Sequence, residues 1–174
     1  MMNKYRMLPK ISVLMLLVLI AFCGCVPDHN KKTEQLNKIL DNFLVRLDHS
    51  NCDNCKLDVY YLNPDIHTRA PLSKEDLLEI GSRKTFDGTM LSKHMELLNQ
   101  LSSNNISLAK SNLPRNIRVL FVFELEGQVA LEIAIGFSTY GIYVNEFEVE
   151  RNDVFYRLME VFLGEAIATG YRTR

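Results

Sequence analysis

Cys52 and Cys55 are the pair whose residue type and spacing most directly suggest chemistry. They form the only C-x-x-C motif in the 174-residue chain. Such a pair can close a small disulfide across a turn, act as a redox couple, or supply two ligands to a zinc ion. A redox pair usually opens a helix that follows a strand, whereas here a predicted helix precedes the pair and a predicted strand follows it. A zinc site needs about four ligands. We therefore expect a structural disulfide or unreactive thiols, with no metal and no cofactor.

A second candidate is the loop that contains Asp65, His67 and Arg69. It follows a predicted strand and has no helical or strand periodicity, and binding sites are often found in such loops. The motifs HExxH, GxGxxG and the P-loop do not occur in the chain. Ser107 and Lys110 match the S-x-x-K motif of serine acyl-transfer enzymes, but the companion motifs are missing. The sequence thus favours a non-enzymatic domain, with a small-ligand site or an enzyme based on the 65–69 loop as the alternative.

The beginning of the chain has the composition of an export signal. Lys4, Arg6 and Lys10 precede an apolar run over residues 11–22, and no acidic residue occurs before Gly24-Cys25. A positive segment, a short apolar segment and small residues near the cleavage point are typical of such signals. The apolar run is shorter than the ~20 residues that a membrane-spanning helix needs.

This segment resembles a bacterial lipoprotein signal, in which a small residue precedes a cysteine that is lipidated and becomes the mature N-terminus. Gly24-Cys25 fits that pattern, while Phe22 and Cys23 stand where the family prefers Leu and then Ala or Ser. The resemblance implies that residues 1–24 are a signal peptide and that Cys25 carries lipid. It also implies that the domain is held at a membrane of the bacterial cell envelope, outside the cytoplasm. An uncleaved membrane helix and simple secretion remain the two alternatives.

Composition describes an ordinary globular domain after the signal. Three of the 20 basic residues and none of the 21 acidic residues lie before Cys25, so the rest of the chain has a formal charge of −4. This balance argues against nucleic acid as a partner, because nucleic-acid binding needs a clustered basic surface. We expect residues 25–32 to form a tether and residues 33–174 to form one domain.

Hydrophobic periodicity predicts four helices in that domain. The first begins at Thr33, and its apolar stripe runs from Leu36 to Leu47. The second opens at Ser73 with a capping-box pattern. The third covers residues 89–102, and the last runs from 152 or 153 to about 170.

Alternating apolar residues predict an antiparallel sheet and an α+β fold with helices against its apolar face. One strand is expected at 57–62 and a three-strand meander at 117–150, with its first turn at Gly127. That turn would pair Phe123 with Leu131, Phe121 with Ile133 and Val119 with Ile135. The third strand has two registers, of which we predict the one that buries Tyr143, Phe147 and Val149, because it buries no charge.

In that register several acidic and apolar residues would share the outer face of the sheet, with Glu132 directly opposite Glu148. Like charges in that position repel each other, and a basic partner or solvent would relieve the repulsion. A solvated outer face is normal for an antiparallel sheet, whereas an apolar patch bordered by charge is typical of an interaction surface. The residues of the candidate interaction face are Leu120, Val122, Glu132, Ile142, Val144, Glu146 and Glu148.

These features together predict a lipoprotein, anchored in a membrane by lipid on Cys25, whose single domain binds another protein. An immunity-like or accessory role is one concrete version of that hypothesis.

Overall fold

The computed structural model describes residues 29–172 with the exception of 50, 51, 53, 111 and 112. The predicted signal, Cys25 and the first half of the predicted tether lie outside the described residues. None of the helices within the described part is long and apolar enough to cross a membrane. The elements, in chain order, are α1 His29–His49, β1 Cys55–Tyr61, α2 Lys74–Ile80, β2 Ser82–Asp87, α3 Gly88–Lys93, α4 Met95–Leu98, β3 Val119–Leu125, β4 Gln128–Ile135, β5 Ile142–Val144, β6 Phe147–Val149, α5 Asp153–Leu163 and α6 Glu165–Arg172.

The strands form one antiparallel sheet in the order β2-β1-β3-β4-β5-β6. The α+β fold class is therefore confirmed. The sheet is not a simple meander, because β1 pairs with both β2 and β3 although α2, β2, α3 and α4 separate β1 from β3 in the chain.

The predicted register between β3 and β4 is confirmed at all three pairs, Phe123 with Leu131, Phe121 with Ile133 and Val119 with Ile135. Glu126 and Gly127 make the turn, with positive φ angles of 54° and 76°. Positive φ at both central residues is required in a type I′ turn, a common two-residue connection of β-hairpins.

The prediction of a single third strand over the end of the meander is wrong. Asn145, which has a φ of 51°, turns the chain so that β5 and β6 form a separate short hairpin. The predicted burial of Phe147 and Val149 in the main core is confirmed. The predicted register is wrong for β5, because Ile142 and Val144 pair with Ile135 and Ile133 on the inner face, whereas Tyr143 lies on the outer face with Ala134. A tight turn therefore allows β5 and β6 to bury apolar residues without burying Glu146.

The sheet is apolar on both faces, unlike the sheet expected from the sequence. The inner face, which carries Phe121 and Ile133, packs into the main core with α1, α5 and α6. On the outer face, Leu77 of α2 is fully buried and belongs to a second apolar cluster with Leu120 and Val122. The full membership of that second cluster is Leu62, Leu72, Leu77, Ile117, Leu120, Val122, Ala134 and Tyr143.

The predicted helices are confirmed in outline and corrected in their bounds. The apolar stripe of α1 is buried as expected, but the helix already includes residues 29–32, which the sequence assigned to the tether. Ser73 and Asp76 form the predicted capping box. The helix predicted over 89–102 is divided at His94, and the last helix is broken at Gly164, whose φ of 103° is not helical. Strand β2 was not predicted, because its sequence has little apolar alternation.

Candidate functional site

A cleft lies between the start of α1, residues 108–110 and 113–115, and the β5–β6 hairpin. We call it the hairpin cleft. Its volume is about 800 Å³, and it is open to solvent. It is lined by His29, Lys32, Gln35, Leu108, Ala109, Lys110, Leu113, Arg115, Tyr143, Glu146, Phe147 and Glu148.

One wall of the hairpin cleft is held in place by hydrogen bonds to β6. The backbone N–H of Ala109 donates to the carbonyl of Glu148 at 3.0 Å, and the side chain of Glu148 accepts from the N–H of Leu113 at 2.9 Å. The hydroxyl of Tyr143 donates to the carbonyl of Leu113 at 3.0 Å. Glu148 and Tyr143 thus fix Ala109 and Leu113 to the β5–β6 hairpin through these hydrogen bonds.

The floor of the hairpin cleft combines an aromatic ring with charges of both signs. The guanidinium of Arg115 lies 4.2 Å from the ring centroid of Tyr143, within the range of a cation–π contact. Burial, together with the charge of Glu148, raises the pKa of Tyr143, while Arg115 opposes that rise. The exposed side chains of Lys110 and Glu146 stand at its edge. Such a surface can contact a partner through apolar, cationic and anionic groups together.

The structure does not bring the predicted interaction-face residues together on one exposed surface, and that prediction is wrong. Leu120 and Val122 are buried in the second apolar cluster, and the fully buried Ile142 and Val144 belong to the main core on the opposite side of the sheet. Glu132 is bound by the ammonium of Lys74 at 2.6 Å and does not face Glu148, which pairs with Tyr143. Of the seven residues, Glu146 and Glu148 line the hairpin cleft.

Cys52 lies between α1 and β1, and Cys55 is the first residue of β1, so helix, cysteine pair and strand follow each other in the order that the sequence predicted. Both are buried, and the backbone N–H of Cys55 donates to the carbonyl of Cys52 at 3.2 Å. Cys52 has a φ of 57°, and Gly88 at the start of α3 packs directly on its carbonyl group. The disulfide between them remains a prediction. No group of three or more His, Cys, Asp and Glu side chains within the described ranges is arranged to hold a metal ion.

Asp65, His67 and Arg69 are exposed on a loop that covers one end of the sheet. Beneath this loop lies Arg118, a residue that the sequence analysis did not single out and that is only 4% exposed. Its guanidinium donates to the hydroxyl of Thr68 at 2.7 Å and, at 3.4 Å, to a backbone carbonyl of the same loop. Its only signal in the sequence is a basic residue directly before a buried strand. The structure therefore adds a buried cation to the loop.

Asp58 is the buried acid of the outer face, at 3% exposed, and sequence reasoning also missed it. It accepts two hydrogen bonds from Arg83, at 2.6 and 3.1 Å, and one from Thr85 at 2.6 Å, and the ammonium of Lys56 lies 2.7 Å away. Burial raises the pKa of Asp58, but the bonds from Arg83, Lys56 and Thr85 outweigh burial and lower it to about 2. These bonds join β1 to the edge strand β2.

No protein family, curated protein or solved structure matches this chain.

Proposed function

We propose that this chain is a lipoprotein, anchored in a membrane of the bacterial cell envelope by lipid on Cys25, and that its domain binds another protein through the hairpin cleft. The anchor rests on the basic and apolar pattern of residues 1–25 and on Gly24-Cys25. Several acyl chains on one cysteine are sufficient for stable attachment.

The position of the hairpin cleft is the observation that carries the proposal. His29 lines the cleft and lies four residues after Cys25. Four residues span at most about 14 Å, since an extended chain advances by at most about 3.6 Å per residue. A protein bound in the cleft would therefore lie close to the membrane surface.

The chemistry of the cleft supports binding rather than catalysis. The polar side-chain groups of Glu148 and Tyr143 are engaged in hydrogen bonds with the backbone of Leu113. The remaining lining mixes apolar side chains with exposed charges, such as Lys110 and Arg115, which is typical of the polar and apolar composition of protein interfaces.

The anchor is tested by changing Cys25 to Ala in the full chain. The unaltered protein should be recovered with membranes as a lipid-modified product beginning at residue 25, whereas Cys25→Ala should lack the lipid mass. An unaltered protein that retains Met1, or that separates from membranes in mild salt, would contradict the anchor.

Binding is tested by affinity capture of the tethered protein from its own membranes, with quantification of the recovered partner. The double variant Lys110→Glu, Arg115→Glu reverses two exposed charges of the cleft. It should lower partner recovery at least about tenfold, because like charges placed opposite each other in an interface cost several kcal/mol. Lys93→Glu, an exposed charge reversal at the end of α3, is the matched control and should leave recovery unchanged. Equal recovery with both variants would show that the cleft is not the binding surface.

A further inference from the structure

Arg118 is a charged side chain in a buried and largely apolar environment. Its side chain lies at the end of the sheet, where its backbone joins β1 and β4 through hydrogen bonds to Leu62 and Ile135. The guanidinium lies 5.0 Å from the ring of Phe137, and its Nε is buried with no hydrogen-bond partner. Its other contacts are the hydroxyl of Thr68 and one backbone carbonyl. No carboxylate among the described residues pairs with it.

This arrangement is costly for folding. A charged group loses several kcal/mol of hydration free energy when it leaves water. A counter-ion and a full set of hydrogen bonds are needed to compensate for that loss. Desolvation lowers the pKa of Arg118; the phenol groups of Tyr171 and Tyr140 act in the opposite direction but do not outweigh it, and no carboxylate contributes. Asp58, the other buried charged residue in the described part of the chain, follows the opposite pattern and has three partners. An unpaired buried guanidinium therefore requires an explanation other than stability.

The loop above Arg118 carries further groups that recognise anions. His67 and Arg69 flank Thr68 in the chain, and both are exposed. Because the hydroxyl of Thr68 lies 2.7 Å from the guanidinium of Arg118, the two flanking residues are anchored within one residue of the buried cation. The contact between Thr68 and Arg118 thus ties the loop that carries His67 and Arg69 to the buried cation.

We propose that Arg118, with His67 and Arg69, forms a binding site for the carboxylate group of a small organic acid. A carboxylate can accept two parallel hydrogen bonds from one edge of a guanidinium, including one from Nε, so it would satisfy the donor that the fold leaves without a partner. The ligand would take the place of the Thr68 hydroxyl on Nη2, whereas the long contact of Nη1 with the Ile66 carbonyl, at 3.4 Å, lies on the other edge of the guanidinium and can remain.

Two features select a monocarboxylate over a phosphate. Asp65 lies on the same loop, and its negative charge repels a dianion more than a monoanion. The ring of Phe137, which lies 5.0 Å from the guanidinium and stacks on Tyr171, makes the surroundings of Arg118 apolar, which suits the body of an organic acid. This site is independent of the lipid anchor and of the hairpin cleft, so either proposal can fail without the other.

The test is a titration of the full-length protein in detergent micelles with sodium benzoate, acetate and phosphate, followed through the NMR signal of the Nε–H group of Arg118. Benzoate should shift this signal in a saturable manner with a dissociation constant on the order of 1 mM, which corresponds to about 4 kcal/mol. Acetate should bind more weakly, and phosphate should bind more weakly than benzoate. The absence of a saturable shift with benzoate would overturn the site, and tighter binding of phosphate would overturn the choice of ligand class.

Two variants separate a binding role from a structural one, both followed by titration of backbone amide signals. Arg118→Lys keeps the positive charge but loses the planar donor pair, so benzoate binding should weaken at least about tenfold. Thr68→Val removes the hydroxyl that competes with the ligand, so benzoate should bind about fivefold more tightly. Arg172→Lys alters an arginine that also lies on an aromatic ring, that of Tyr156, outside both proposed sites, and it should have no effect. Should Arg118→Lys fail to fold, Thr68→Val still decides, since unchanged or weaker binding in that variant would refute the competition on which the site depends.

Discussion

Replacement of Asp58 by Asn is the most informative perturbation of the fold. The side chain of Asp58 is 3% exposed, and its carboxylate is held by Arg83, Lys56 and Thr85. Asn keeps the shape of the side chain but removes its negative charge, so two cationic side chains lose the acid that attracts them. Removal of one partner from a buried ion pair costs about 3–5 kcal/mol. Because Arg83 and Lys56 are 49% and 37% exposed, solvent screens part of that loss, and we expect about 3 kcal/mol at pH 7.

The pH dependence of this loss follows from the pKa of Asp58. The folded protein lowers that pKa from 3.8 to about 2, so the charged carboxylate stabilises the folded state above pH 4, and this contribution is lost as the pH falls towards 2. One unit of pKa difference corresponds to about 1.4 kcal/mol, so about 2 kcal/mol of stability depends on the ionisation of this group. The difference in unfolding free energy between the unaltered protein and Asp58→Asn should therefore shrink from about 3 to about 1 kcal/mol between pH 5 and pH 2.

Urea unfolding followed by circular dichroism, repeated at pH 7, 5, 3 and 2, measures this difference. Glu124→Gln is the matched control, because Glu124 contacts the same ammonium of Lys56 at 3.3 Å but is 29% exposed. Its loss should stay below about 1 kcal/mol, as is usual for exposed ion pairs. A difference for Asp58→Asn that is the same at pH 5 and pH 2 would refute the reasoning.

Two further predictions concern packing at the ends of the sheet. Gly88→Ala should destabilise the protein by about 3 kcal/mol or more in urea unfolding, because the added Cβ would lie 1.6 Å from the carbonyl oxygen of Cys52. Gly127→Ala is its control and should cost only about 1 kcal/mol, since its φ is positive but no atom lies within 4 Å of the added Cβ; equal losses would contradict the packing argument. Tyr171→Phe should cost about 1 kcal/mol, because the buried hydroxyl of Tyr171 donates to the carbonyl of Leu62 at the end of β1. A thermal unfolding midpoint that does not change in Tyr171→Phe would contradict that contribution.

The parts of the fold that depend on neighbouring residues were predictable. The stripe of α1 and the capping box at Ser73 follow from contacts three or four residues apart in the chain. The β3–β4 register follows from alternation on either side of Gly127, because a tight turn leaves one pairing that keeps both apolar sets on the same face.

The candidate sites depended on pairings between distant segments, and sequence reasoning largely missed them. Alternation alone could not choose between the two registers of β5, and the turn at Asn145 decided the one that buries Ile142 and Val144. Whether Leu120 faced solvent depended on α2, which covers it from about 40 residues away in the chain.

By itself, the sequence determined most of the helices, the β3–β4 hairpin, the α+β class and the export-type composition of residues 1–25, because each of these depends on residues that are close together in the chain. Only the tertiary structure decided that β1 lies between β2 and β3, that the hairpin cleft opens beside His29, and that Arg118 lies buried beneath the 65–69 loop. The physical reason is that burial and charge pairing are properties of segments that meet after folding. A pattern along the chain records which side chains avoid water, but not which other segment covers them.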